Sequence, residues 1–140
     1  MNKGVKFLII SMTIVIILLA AGLYLFYQRS LESAEDEPSV DVIVANSLEI
    51  PELTTNLASN HFIRIAFTIQ TDSKKAKEEL EKRDFQVNNT IIKQLSGMEA
   101  EDLEGTEGKI KLEELLKSAF NSLLDEGKVE QVYITSAIIQ

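Results

Sequence analysis

From Phe7 to Tyr27 the chain reads FLIISMTIVIILLAAGLYLFY, 21 residues without a charge and with only Ser11 and Thr13 strongly polar. This run limits what the chain can become more than any other. At about 1.5 Å rise per residue, a helix of this length reaches roughly 30 Å, the thickness of a bilayer's hydrocarbon layer. Lipid offers backbone N–H and C=O groups no partners, so a helix that satisfies them internally is the expected form. Phe7, Ile10, Ile14, Leu18, Tyr24 and Tyr27 are spanning residues, with Tyr24, Phe26 and Tyr27 at the outer headgroup level. A buried core helix fails on length and on the absence of a polar face. A cleaved leader, favoured by the small residues Ala20, Ala21 and Gly22, conflicts with the apolar run Leu23 to Tyr27 that continues past them.

The flanking charges set a direction. Lys3 and Lys6 precede the span, whereas Glu32, Glu35, Asp36 and Glu37 crowd behind it with Arg29. Positive charge stays inside, so residues 1–6 are expected in the cytoplasm, 7–27 in the membrane, and the rest outside. With Lys3 and Lys6 set aside, 12 basic side chains face 22 acidic ones, a balance of -10 that disfavours nucleic acid and anionic headgroups as ligands. Zero cysteines exclude a disulfide framework and a thiolate metal site.

Residues 28–39 (QRSLESAEDEPS) have the composition of a solvated acidic linker. Residues 40–140 then make one domain of α+β class, a small sheet packed with helices. The alternation Val40, Val42, Val44 predicts a short strand, and Pro51 bars a central strand position where it stands. Leu53–Leu57 and Phe62–Thr71 are expected to pair antiparallel through Ala58-Ser59-Asn60, with Ile63, Ile65, Phe67 and Ile69 on one face. Asp72 or Ser73 caps a helix that buries Ala76 and Leu80. A second helix follows through Phe85, Val87, Ile91, Ile92 and Leu95 to a stop at Gly97. Gly97 to Gly108 reads as a loop. From about Thr106 to Glu126 a third helix carries a stripe from Ile110 to Leu124 and ends at Gly127. Val129–Gln140 reads as a final strand. If it lies beside Phe62–Thr71, the intervening helices act as a crossover and parallel pairing is expected.

Chemistry is scarce. His61 stands alone at a strand entry, where an exposed structural residue is the default over a ligand or catalyst. Glu99, Glu101, Asp102 and Glu104 lack the spacing of a calcium loop and read as solvated acids. Gly97, Gly105 and Gly108 form no phosphate loop. No catalytic triad is suggested. No enzyme activity, cofactor, metal or small-molecule substrate is expected.

The ending GKVEQVYITSAIIQ (127–140), TTNLAS (54–59), FIRIAFTIQTD (62–72) and EGK (107–109), in that order behind one span and an acidic tether, resemble the flagellar basal-body-associated protein FliL family. Two departures stand out: Ile134 and Ala137 replace common phenylalanines, and Asn88 and Asn89 replace an Arg-Asp pair. The resemblance implies a non-enzymatic inner-membrane component of the flagellar motor with a stomatin/prohibitin-like outer domain. It also implies a homo-oligomeric ring beside the stator proteins MotA and MotB, supporting rotation, swarming or switching. A membrane-anchored binding or envelope-assembly module unrelated to motility is the alternative that the anchor equally permits. Arg64, Gln70, Tyr133 and Thr135 are the candidate interface residues, because outward strand side chains are where a ring or partner attaches. Were Tyr133 and Thr135 instead packed under a helix, Tyr133→Ala would unfold the domain.

Overall fold

The computed structural model describes residues 2–32 and 38–140, with side chains for 2–27 and 38–140, and divides into two units at Pro38/Ser39. The first unit contains helix α1, Lys3–Glu32. Between Phe7 and Tyr27 it is apolar on all sides, and every described side chain on it is exposed. Within 7–27 the two strongly polar residues turn inward on their own helix: the Ser11 hydroxyl donates to the Leu8 carbonyl at 3.0 Å and that of Thr13 to the Ile10 carbonyl at 2.8 Å. Such back-bonding leaves no unsatisfied hydroxyl for an apolar medium to penalise. The helix runs on into the expected linker as far as Glu32; the linker residues 33–37 lie outside the described residues.

The second unit is α+β. Helix α2 (Val40–Ala45) leads into strand β1 (Ser47–Asn56), which pairs antiparallel with β2 (Phe62–Thr71). Helices α3 (Lys74–Lys82) and α4 (Asp84–Ser96), a 3-10 turn at Glu101–Leu103 and helix α5 (Gly105–Asn121) follow. Strand β3 (Val129–Ile139) completes a sheet of order β1-β2-β3. β2 spans the residues its alternation predicts. Ile63, Ile65, Phe67 and Ile69 are at most 1% exposed and meet Val87, Ile91 and Leu95 of α4 and Leu112, Leu116 and Phe120 of α5 in one core.

Four expectations are corrected. Residues Val40–Ala45 are helical, not a strand. Only Ile43 of the segment is partly buried, so the alternation has no sheet face to serve. The helix end is instead fastened from outside: the Ser47 hydroxyl donates to the Ile43 carbonyl at 2.7 Å and Lys77 Nζ to the Ala45 carbonyl at 3.2 Å. Tertiary partners here override β propensity.

β3 pairs with β2 antiparallel, not parallel. The Asp72 N–H donates to the Lys128 carbonyl at 3.0 Å, so the chain re-enters the sheet at the end where β2 left it.

The span expected as one loop, 97–108, contains the 3-10 turn, buried Leu103 and the start of α5. Gly108 is needed there, since a Cβ would lie 2.2 Å from the Asp102 carbonyl oxygen.

Helix α5 stops at Asn121 rather than Glu126. The Asn121 side chain accepts from the Val129 N–H at 2.8 Å and donates to the Lys117 carbonyl at 3.0 Å, joining the helix end to β3. Gly127 sits later, at φ 74, where a Cβ would fall 2.7 Å from Asp72 Oδ1 and 2.9 Å from the Ala76 Cβ. Both the backbone angle and the crowding call for glycine.

Candidate functional site

The helices cover one face of the sheet, leaving the other face of β2 open through Arg64, Ala66, Thr68 and Gln70. All four candidate interface residues lie on this uncovered side or its rim. Tyr133 stands opposite Thr68, is 46% exposed and donates its hydroxyl to Gln70 Oε1 at 3.0 Å. These two form one polar corner. Arg64 lies at the other end of β2, its Nε 3.6 Å from Glu52 Oε1 of β1. Thr135 falls between them: Ala66 pairs with Ser136 and Phe67 with Ile134, so Thr135 is the extra residue of a bulge. Neither Tyr133 nor Thr135 packs under a helix.

A second bulge lies across the sheet. Ile50 pairs with Phe67 and Leu53 with Ile65, which leaves Pro51 and Glu52 without partners in β1. Pro51 thus occupies an edge strand, as its missing N–H requires. Between the two irregularities the open face forms a shallow concavity of about 480 Å³, lined by Glu49, Ile50, Pro51, Ala66, Thr68 and Thr135. Its mixed lining and open shape suit a protein surface more than a small ligand.

The β1 side of this feature lies outside the candidate residues that the sequence points to. Its one available signal was a proline inside an alternating run. Phe85 and Ile92, named with Val87, Ile91 and Leu95 in the expected helical pattern, are 68% and 42% exposed. Both fall outside the Val87, Ile91, Leu95 stripe that meets the sheet.

Charge is arranged for cohesion elsewhere. Arg83 bridges Glu79 and Asp125, each at 2.9 Å, and Lys75 pairs with Glu126, tying α3 to the segment before β3. Desolvation is the largest single influence on Glu79 and on its own would raise the pKa. The Asp125 N–H and the Arg83 guanidinium outweigh it and hold the carboxyl below its ordinary value. His61 Nδ1 lies 3.2 Å from the Ser59 hydroxyl in the exposed hairpin. Among the described residues no group of three or more His, Asp or Glu is placed to hold a metal ion.

Residues 47–140, which comprise the whole sheet and the helices that cover it, match the model of the flagellar basal body-associated protein FliL family. The chain belongs to the FliL family. Among FliL relatives, the flagellar protein FliL of Bacillus subtilis (strain 168) is 48% identical over 122 residues, covering 87% of each chain. That of Aquifex aeolicus (strain VF5) is 27% identical over 93 residues, covering 64% of this chain and 58% of its own. This FliL-family chain is therefore a flagellar, basal-body protein concerned with motility. The family is one of structural and accessory components rather than a known enzyme family. Its α1 is long and apolar enough to cross a membrane once.

Proposed function

We propose that this FliL-family chain is a non-enzymatic, single-pass component of the cell membrane, with residues 1–6 in the cytoplasm and residues 40–140 outside. In this reading the outer domain, of stomatin/prohibitin-like kind, assembles with copies of itself into a ring and associates with the MotA/MotB stator. The assembly supports flagellar rotation, swarming or switching. The observation that carries the reading is the FliL match across the outer domain behind a spanning helix with lysines on one flank only. The open sheet face supplies a surface for protein contact, with Arg64, Gln70, Tyr133 and Thr135 as its reporters. Confinement to a membrane raises the effective concentration of copies and so favours weak lateral contacts.

The test is affinity purification of the tagged full-length chain from motile cells, beside a deletion strain. Enrichment of stator proteins together with impaired swimming or swarming at normal growth rate is the expected result. Purification that never enriches stator or basal-body proteins rejects the stator reading. An envelope-stress phenotype with intact motility points instead to an envelope-assembly role.

A further inference from the structure

Carboxylates fasten the backbone of β3 and of its lead-in at two places. In the middle of the strand, Glu113 Oε1 of α5 accepts the Ile134 N–H at 2.9 Å. Together with the bulge beside it, this blunts one margin of the sheet against strand addition, as Pro51 and its bulge blunt the margin at β1. Ahead of the strand runs the strap 122–128, which joins α5 to β3 and lies against α3. Its Asp125 N–H donates to both carboxylate oxygens of Glu79, at 3.1 and 3.3 Å, and the Glu126 N–H donates to the same carboxylate. The Lys128 N–H donates to Asp72 Oδ1 at 3.1 Å.

Side chains repeat the pattern. Lys75, Glu79 and Arg83 stand four residues apart on one line of α3 and alternate in sign. Arg83 meets Asp125 at 2.9 Å, and Lys75 meets Glu126. The neighbouring acids of α3 face other bases, Glu78 pairing with Lys74 and Glu81 with Lys77. From α4 the neutral Gln86 reaches the cluster, accepting from Arg83 at 3.4 Å.

The two ends of the strap are held differently. At its start the uncharged Asn121 side chain accepts the Val129 N–H at 2.8 Å and donates to the Val129 carbonyl at 3.2 Å. At its finish the Val129 side chain is buried in the core. Between them Leu123 and Leu124 are only partly buried. Hydrogen bonds from a backbone N–H to an ionised carboxylate are roughly twice as strong as neutral ones, so acid weakens the middle of the strap and spares its ends.

We propose that the strap 122–128 is an acid-released clasp: protonation of Glu79 and the carboxylates beside it frees the strap from α3, while Asn121 and Val129 keep its ends and the sheet stays folded. Release uncovers the charged line of α3 and turns Leu123 and Leu124 toward solvent, so the domain offers a different surface in acid. Glu79 governs the step, because its side chain is 20% exposed against 83% for Asp125 and 63% for Glu126. In the clasped form Glu79 keeps its charge below pH 4.5, the ordinary value it regains on release, so opening is favoured as pH falls through that range and reversed as it rises.

Hydrogen–deuterium exchange on the full-length chain in nanodiscs, corrected for the intrinsic effect of pH on amide exchange, provides the test. Between neutral pH and about pH 3.5, protection over 122–128 is expected to fall several-fold while β2 and α5 keep theirs. Glu79→Gln should bring the strap at neutral pH to the level the parent reaches in acid, and should flatten its response to pH. The exchanged pair offers a second route that leaves Glu79 in place. Lys75→Glu or Glu126→Lys alone should lower protection of the strap at neutral pH, and the two together should restore it. A strap that keeps its protection in acid, one that loses it only together with β2, or a double variant no better protected than either single one overturns the proposal.

Discussion

Helices α1 and α5 draw on the same residues, Leu, Ile and Phe, and use them in opposite ways. On α1 the apolar side chains surround the axis and all are exposed, Phe7 at 76% and Leu18 at 66%. On α5 Leu112, Leu116 and Phe120 form a wholly buried stripe, while Lys111, Glu114 and Ser118 face out and Ile110 and Leu115 stay exposed beside them. The difference teaches that apolarity alone does not say where a helix goes. Its distribution around the axis separates a helix solvated by lipid from one that covers a sheet.

Substitutions that affect one side of this comparison and spare the other test it. Phe120→Ala removes a ring from the centre of the core. It should cost the α+β domain about 3–5 kcal/mol in denaturant unfolding and leave membrane retention untouched. Leu18→Lys reverses the pattern. A lysine near the middle of a span costs about 2.5–3.5 kcal/mol of insertion, so the chain should appear in the carbonate-soluble fraction with normal domain melting. Continued retention would count against a simple span. Gly127→Ala, which forces a Cβ onto Asp72 and Ala76 at a left-handed φ, should cost the domain about 1–3 kcal/mol. Helix α1 offers no counterpart, for nothing lies within 4 Å of a Cβ added at Gly22.

Tyr133→Ala should shift domain stability by only about 0.5 kcal/mol, because the side chain is exposed and its bond to Gln70 faces solvent. Folding kept with assembly lost would assign Tyr133 to an interface; unfolding would refute its surface placement. The smallest effect belongs to Glu79→Gln. The folded-state pKa of Glu79 is lowered from about 4.5, so its stabilisation is complete above that value and fades as pH falls through the folded pKa. Thermal melting of the variant should trail the parent slightly at pH 7 and converge with it in acid.

Much of this was legible in the residues because single segments decided their own structure. The alternation Phe62–Thr71 has one face that only a core can satisfy, and Ala58-Ser59-Asn60 turns the chain with Asn60 at φ 56. Ser73 caps α3 by accepting from the Ala76 N–H. What failed depended on partners far along the chain. The end of Val40–Ala45 is met by Lys77, 32 residues from Ala45, and α5 stops where Asn121 finds Val129. The direction of β3 followed from where the helices return, which no local pattern encodes. The same holds for the candidate surface. Tyr133 and Gln70 stand on different strands, and their contact and the facing bulges at Ile50 and Ile134 come from register across three strands.

The blunted margins of the sheet bear on crowding. Proteins tethered in one bilayer meet their own kind constantly, and an unguarded β edge under those conditions invites runaway cross-β fibre growth. Pro51 at one margin and Glu113 on the other deny that route its template.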